Sequence, residues 1–304
     1  MSMRPKNQRG FTLVEMIIVI VITGIIGGMV AMFIRAPVQG YVDSARRAEM
    51  SDVADTALRR IGRDVRTAVP NSLRIPSPAD SYYIEFLPTR DGGRYRSAPG
   101  TGTLCSAGTN GDALDFSQPD GLNHVDTCFE IIGAPMDFAN GDAIVVGSTQ
   151  SDGSLPYKTA ASGGVMRMIA NPAGVGTAKT SVIITSTVAF PASSELDGHR
   201  FEVVPADQQA VTYACINMQG GALDAKSDGQ GTLTRYWKYG ILAGQPVPPL
   251  GTGSSAVLAS NVSECHFVYD ASSQRNSLLA VRLKITRGGE SVNLYHEIHV
   301  NNIP

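Results

Sequence analysis

The side chains best suited to redox, metal or nucleophile chemistry are four cysteines, Cys105, Cys128, Cys215 and Cys265, and five histidines. No pair of cysteines forms a C-x-x-C, which argues against thioredoxin-type exchange and a zinc ribbon. An even cysteine count in an oxidising compartment points to disulfides, with three connectivities open. Joining Cys105 to Cys128 and Cys215 to Cys265 closes the shorter loops and is the expected arrangement, each bridge contributing roughly 2–4 kcal/mol. His296 and His299 stand three residues apart in Tyr295-His-Glu-Ile-His. On a strand that spacing sends them to opposite faces, so they read as ordinary strand histidines rather than a ligand pair. Tyr236, Trp237 and Tyr239 could form a sugar-stacking or subunit-packing surface, but half-buried strand packing is the expected role. The acidic turn Asp224-Ala-Lys-Ser-Asp228-Gly229 lacks the spacing of an EF-hand calcium loop, so no bound metal is expected. No G-x-S-x-G, H-E-x-x-H or Walker A pattern is present, so the sequence offers no enzyme with a mechanism and implies no cofactor.

The strongest signal is an uncharged apolar run from Met16 to Ile34. A helix needs roughly 20 such residues to cross a hydrocarbon core of about 30 Å. A secretory signal peptide has a shorter apolar region and a small-x-small cleavage site. Phe33-Ile34-Arg35 offers no such site, so this segment is expected to stay on the protein. Glu15 stands at its beginning. A carboxylate there is costly unless it is paired or reaches the interface, which marks it as a candidate functional residue.

The rest of the composition sets bounds. The 304 residues, with 32 glycines and a net charge of −2, describe a loop-rich globular body and give no sign of a nucleic-acid binder. Arg4, Lys6 and Arg9 form a basic start without an acid, and the chain beyond Gly10 carries 22 basic against 27 acidic side chains, a net of −5. This asymmetry places the N-terminus on the cytoplasmic side of a membrane by the positive-inside rule.

Residues Arg9-Gly10-Phe11-Thr12-Leu13-Val14-Glu15 resemble the processing signature of type IV prepilins: a short basic leader ending in Gly, then Phe, then Glu at the fifth mature position, then an apolar helix. The resemblance implies cleavage between Gly10 and Phe11 by a membrane prepilin peptidase, followed by N-methylation of Phe11. It further implies that Glu15 pairs with the N-terminal ammonium of a neighbouring subunit and so sets register. Arg46 to Ile75, Phe201 to Cys215, Gly231 to Gly240 and Gly288 to Pro304 resemble minor pilins of mannose-sensitive haemagglutinin (MSHA) pilus biogenesis. The expected partners are then prepilin peptidase, other major and minor pilins, an inner-membrane assembly platform and membrane lipid. The expected location is the inner membrane of a Gram-negative bacterium with the head in the periplasm, and afterwards the pilus. A J-type minor pseudopilin of a type II secretion system, a pilus-tip adhesin and a membrane-anchored periplasmic enzyme remain open beside this reading.

The expected fold class is α+β: a long N-terminal membrane-spanning helix followed by a β-rich globular head. The expected segments are a leader (1–10), a transmembrane half-helix (11–36), an amphipathic half-helix (37–70) and a β-rich head (71–304). Pro37 is expected to kink the helix. Ala54, Ala57, Leu58, Ile61, Val65 and Ala68 recur at helical spacing, with Arg46, Arg47, Arg59, Arg60, Arg63 and Arg66 forming a solvated face. Pro70-Asn71 is expected to end the helix. Ten strands are predicted: 82–87, 129–132, 143–146, 181–188, 201–204, 211–215, 235–239, 266–269, 278–285 and 291–300. Turns are expected at Asp91-Gly92-Gly93, Asn140-Gly141-Asp142, Ser151-Asp152-Gly153 and Ser227-Asp228-Gly229. Surface loops are expected at 99–111 and 244–255.

Overall fold

The computed structural model describes residues 10–75, 82–100, 105, 112–122, 124–170, 177–248, 250–270 and 276–304. The basic leader up to Arg9 and most of the expected loop 99–111 lie outside these residues. The chain divides into two units, Met1–Glu49 and Met50–Pro304. One helix, α1 (Leu13–Arg66), begins in the first and ends in the second. The helix continues through Pro37.

From Leu13 onward the first unit is helix. Its large apolar side chains from Phe11 to Val42 are exposed throughout. The stretch from Leu13 to Ile34 is long enough at 1.5 Å per residue to span about 30 Å. Thr23 returns its hydroxyl to the carbonyls of Val19 (2.7 Å) and Ile20 (3.1 Å), which removes the one side-chain polar group of the mid-segment from its surroundings.

In the second unit, Met50, Ala54, Ala57, Leu58, Ile61 and Val65 form a buried stripe at helical spacing. They pack on a six-stranded antiparallel sheet made of β1 (Tyr83–Phe86), β8 (Val211–Ile216), β9 (Gly231–Trp237), β10 (Ser254–Asp270), β11 (Asn276–Arg287) and β12 (Glu290–Asn301), in the order β1-β8-β9-β10-β11-β12. The remaining strands close a barrel: β2 (Asp91–Tyr95), β3 (Cys128–Ile132), β6 (Ser181–Thr185), β5 (Met166–Ile169), β4 (Ala143–Val146) and β7 (Arg200–Val204). Its interior sets six aromatic side chains, Tyr95, Phe116, Phe129, Phe138, Phe190 and Phe201, among aliphatic ones such as Ile144, Val182 and Val203.

Burial patterns follow from this layering. β8 is buried on both faces because α1 covers one side of it, while on the other Ala214, with Tyr236 and Tyr239 beside it, packs in one cluster with Ala143, Val145 and Val204 of the barrel. β12 alternates buried or half-buried with exposed residues, as a strand with one wet face must. Phe86 at the end of β1 pairs with Val211 at the start of β8, so residues 87–210, which contain the whole barrel, leave and rejoin the sheet at one point.

Several elements differ from expectation. α1 ends at Arg66, before Pro70, because the following backbone is claimed by another segment. Thr67 Oγ1 donates to the Asp64 carbonyl, and Val69 N–H donates to the Leu87 carbonyl at 2.8 Å. Asp91-Gly92-Gly93 is strand, not turn. It forms β2, and a Cβ on Gly93 would meet the Phe201 ring at 2.8 Å, so the glycine is there for close packing. Strand β5 was not predicted, and β10 starts at Ser254, inside the expected loop 244–255. β9 lies earlier in the chain than the expected 235–239. β6 stops at Thr185, where Ser186 Oγ accepts the Val188 N–H and turns the chain.

Candidate functional site

The N-terminal site begins with Gly10 and Phe11, both exposed. Thr12 precedes the first helical residue, and its hydroxyl accepts the Glu15 N–H at 3.3 Å. Threonine at the cap with glutamate three residues on is the first half of a capping box, and the acidic group in the first turn suits the positive end of the helix dipole. Thr12 thus fixes the helix start immediately after the Gly10–Phe11 bond. Glu15 projects from a segment of exposed apolar residues, and among the described residues its carboxylate has no hydrogen-bond or ion-pair partner. An exposed apolar rod with one acid near its end can do two things. It can insert in lipid, and it can pack against like rods while the acid selects a cation.

The arginines of α1 are mostly exposed. Arg59 pairs with Asp55 (2.7 Å) and Arg46 with Asp43 (3.5 Å), both along the helix. Asp64 instead turns toward the sheet, accepting from Arg235 (2.9 Å) and the Tyr213 hydroxyl (2.8 Å).

The other sequence candidates fall into structural roles. Cys105 is bonded to Cys128 and Cys215 to Cys265, with Cα separations of 5.5 and 6.2 Å. His296 is half-buried against Gly62 of α1, whereas His299 is exposed on the other face of β12. Tyr236 and Tyr239 are buried, and Trp237 lies under the Arg235 guanidinium at 5.0 Å. The Asp224 carboxylate accepts the backbone N–H groups of Lys226 and Asp228, both at 2.8 Å, and so braces its own turn. Among the described residues no group of three or more His, Cys, Asp or Glu side chains could hold a metal ion.

Two polar clusters had no sequence signal, since their members are brought together only by folding. In the first, Arg74 donates to Glu85 (2.5 Å) and to the carbonyls of Ala243 (2.7 Å) and Leu242 (2.8 Å), and its guanidinium lies 3.5 Å over the Tyr157 ring. Glu85 also accepts the Tyr239 hydroxyl at 2.7 Å. Burial pushes the Glu85 carboxyl up, against the pull of Arg74.

In the second, both ring nitrogens of His124 are engaged: Nδ1 with Asp115 (2.9 Å) and Nε2 with Asp120 (2.8 Å). The carboxylate of Asp126 braces the same segment by accepting the N–H groups of Asp115 and Cys128. The hydrogen bonds to Asp115 and then Asp120 raise the His124 pKa above its ordinary value of 6.5. This stabilisation is fully present below the unfolded-state pKa and is lost as pH rises through the folded one. Thermal unfolding of the wild-type chain should therefore shift downward as pH rises above the ordinary histidine range, and more steeply than that of His124→Gln. Superimposable pH profiles for the two proteins would refute the role given to His124.

Residues 5–32 match the family described as the prokaryotic N-terminal methylation motif. Neither a curated protein nor a solved structure matches the chain.

Proposed function

From an N-terminus of type IV prepilin kind, we propose that this chain is a minor pilin, processed by prepilin peptidase and built into the initiating complex or tip region of an MSHA-type pilus. The observation that carries this reading is a coincidence in one segment. The methylation motif, a capped helix start directly after Gly10–Phe11, an exposed apolar rod and the single acid Glu15 all fall together. A soluble enzyme has no use for such a rod. The layout of one long helix feeding a β-rich head is the pilin-like α+β arrangement.

In this proposal the peptidase cuts between Gly10 and Phe11 and methylates the new Phe11 amine, leaving the apolar helix as a single-pass anchor with the head in the periplasm. Glu15 then meets the ammonium of a neighbouring pilin inside the filament core. Charges buried there cost several kcal/mol each, and a misregistered neighbour leaves both unpaired, so the pair specifies register more than it adds stability. The head segments quoted above make the MSHA biogenesis protein MshO the specific subunit that this chain resembles. An assembly platform in the inner membrane supplies the extraction force.

The test is mass spectrometry of the N-terminus in membranes and in sheared filaments. The expected terminus in both fractions is N-methylated Phe11. Retention of Met1 to Gly10 in the filament fraction, or absence of the chain from filaments, would overturn the reading. A position beside type II secretion genes would instead favour the J-type pseudopilin.

A further inference from the structure

A cleft of about 760 Å³ opens on the outside of the barrel, bounded by Arg66 in the last turn of α1, Asp91 and Arg94 of β2, Arg200 and Glu202 of β7, and the end of β12 at Asn301. Its size falls within the roughly 300–1,000 Å³ of small-molecule sites. Register explains which side chains reach it. Arg94 pairs with Arg200 and Gly92 with Glu202, and antiparallel partners point to the same face. Tyr95, Phe201 and Val203 fill the barrel, so Arg94, Arg200 and Glu202 point outward. Gly92 keeps the floor open between them: a Cβ there would come within 3.2 Å of the Phe201 carbonyl.

Three features of this lining are unusual for a merely solvated surface. Arg94 and Arg200 are like charges directly opposite each other, an arrangement that opposes folding by a few tenths of a kcal/mol or more. Among the described residues neither they nor Arg66 form a hydrogen bond or ion pair. Glu202 is half-buried and likewise has no hydrogen bond, and burial pushes its carboxyl up to about 7 although Arg200 pulls the other way. The lining therefore offers donors of one charge and, beside them, acceptors on Glu202 and Asn301.

This mixture narrows the ligand. A simple inorganic anion needs the guanidinium groups but not the acceptors. An acidic peptide brings repeated carboxylates beside Glu202, where a sugar acid brings one. A neutral sugar leaves three arginines without purpose. A molecule carrying both a carboxylate and hydroxyls uses the opposed arginine pair and the acceptors together. We propose that this cleft binds an acidic saccharide, with Arg94 and Arg200 clasping its carboxylate and Glu202 and Asn301 receiving its hydroxyls. Planar guanidinium groups suit a carboxylate because both oxygens can be bonded at once. The proposal goes beyond the assembly role and does not depend on it.

The test uses the full chain in non-ionic detergent, titrated calorimetrically with D-galacturonate, D-glucuronate and N-acetylneuraminate, with D-galactose, sulfate and oligoglutamate as controls. At least one sugar acid should bind at least about tenfold more tightly than every control, the difference expected of a charge-assisted contact. Arg94→Gln/Arg200→Gln should lose about the same factor, while its unfolding midpoint stays level or rises as the like charges disappear. Should that double variant fail to fold, Glu202→Gln gives an independent reading. Wild-type affinity should strengthen as pH falls through about 7, and the variant should lose that dependence. The proposal is overturned if no sugar acid binds, or if galactose, sulfate or oligoglutamate binds as well as the best of them. Wild-type affinity in the double variant, or an unchanged pH dependence in Glu202→Gln, overturns it equally.

Discussion

Replacing Arg74 with methionine should destabilise the head by about 3–5 kcal/mol, the usual cost of leaving one member of a buried ion pair alone. Glu85 is fully buried and, among the described residues, would keep only the Tyr239 hydroxyl as a partner to its side chain, while the carbonyls of Leu242 and Ala243 would lose the Arg74 donor. The sign of the pH dependence follows from the same geometry. Burial already raises the Glu85 carboxyl, and losing Arg74 removes the strongest opposing influence. A carboxyl raised in the folded state binds protons more readily there than when unfolded, so the variant should lose further stability as pH rises above the ordinary carboxyl range. Arg74→Met/Glu85→Leu should recover most of the loss, since replacing both charges with apolar groups removes the desolvation penalty. Urea unfolding of the detergent-solubilised chain, followed by the fluorescence of its one tryptophan, Trp237, measures all three. A single variant as stable as wild type, or a double variant no better than the single, contradicts this account.

Glu15→Val is the second large effect, and it acts on assembly rather than on the head. On the proposed role of Glu15, the substitution leaves a neighbour's ammonium buried without a partner, a penalty of about 3–5 kcal/mol, or a hundredfold or more in incorporation. The helix start should survive, because Thr12 caps it through the backbone N–H of residue 15 and not through the carboxylate. Immunoblotting of sheared filaments against membranes should therefore show normal membrane levels, normal processing and a depleted filament fraction. Equal filament content in variant and wild type would remove Glu15 from the assembly contact.

How much could be read beforehand depended on the range of the interactions involved. The helix and its anchor were legible because apolar residues recur within a few positions of one another. Strands such as β4 and β12 were legible for the same reason, their alternating or continuous apolar runs being local. β2 was not, since Asp91-Gly92-Gly93 carries turn residues whose purpose is set by the Phe201 ring, more than a hundred residues away. The six strands of the barrel could be partly found one by one, but its closure rests on β2 pairing with β7, which no local pattern encodes. Among the candidate functional residues, the N-terminal group was visible because its members lie side by side. Arg74 with Glu85 and the Arg94–Arg200 pair were invisible because each forms only once separate segments are aligned, and His124 with its aspartates because their short segment carries no periodic pattern.

The adjacency of Phe86 and Val211 has a further consequence. The barrel hangs from the sheet by two neighbouring stalks, so it is a detachable module in the topological sense. Cutting it out and bridging β1 to β8 with a short hairpin would leave the strand order of the sheet and its contact with α1 intact, at the cost of uncovering Tyr236, Tyr239 and Ala214 on the opposite face. A lineage could thus exchange what the head displays while leaving its docking frame alone, provided that each replacement brings its own apolar cap for those three residues.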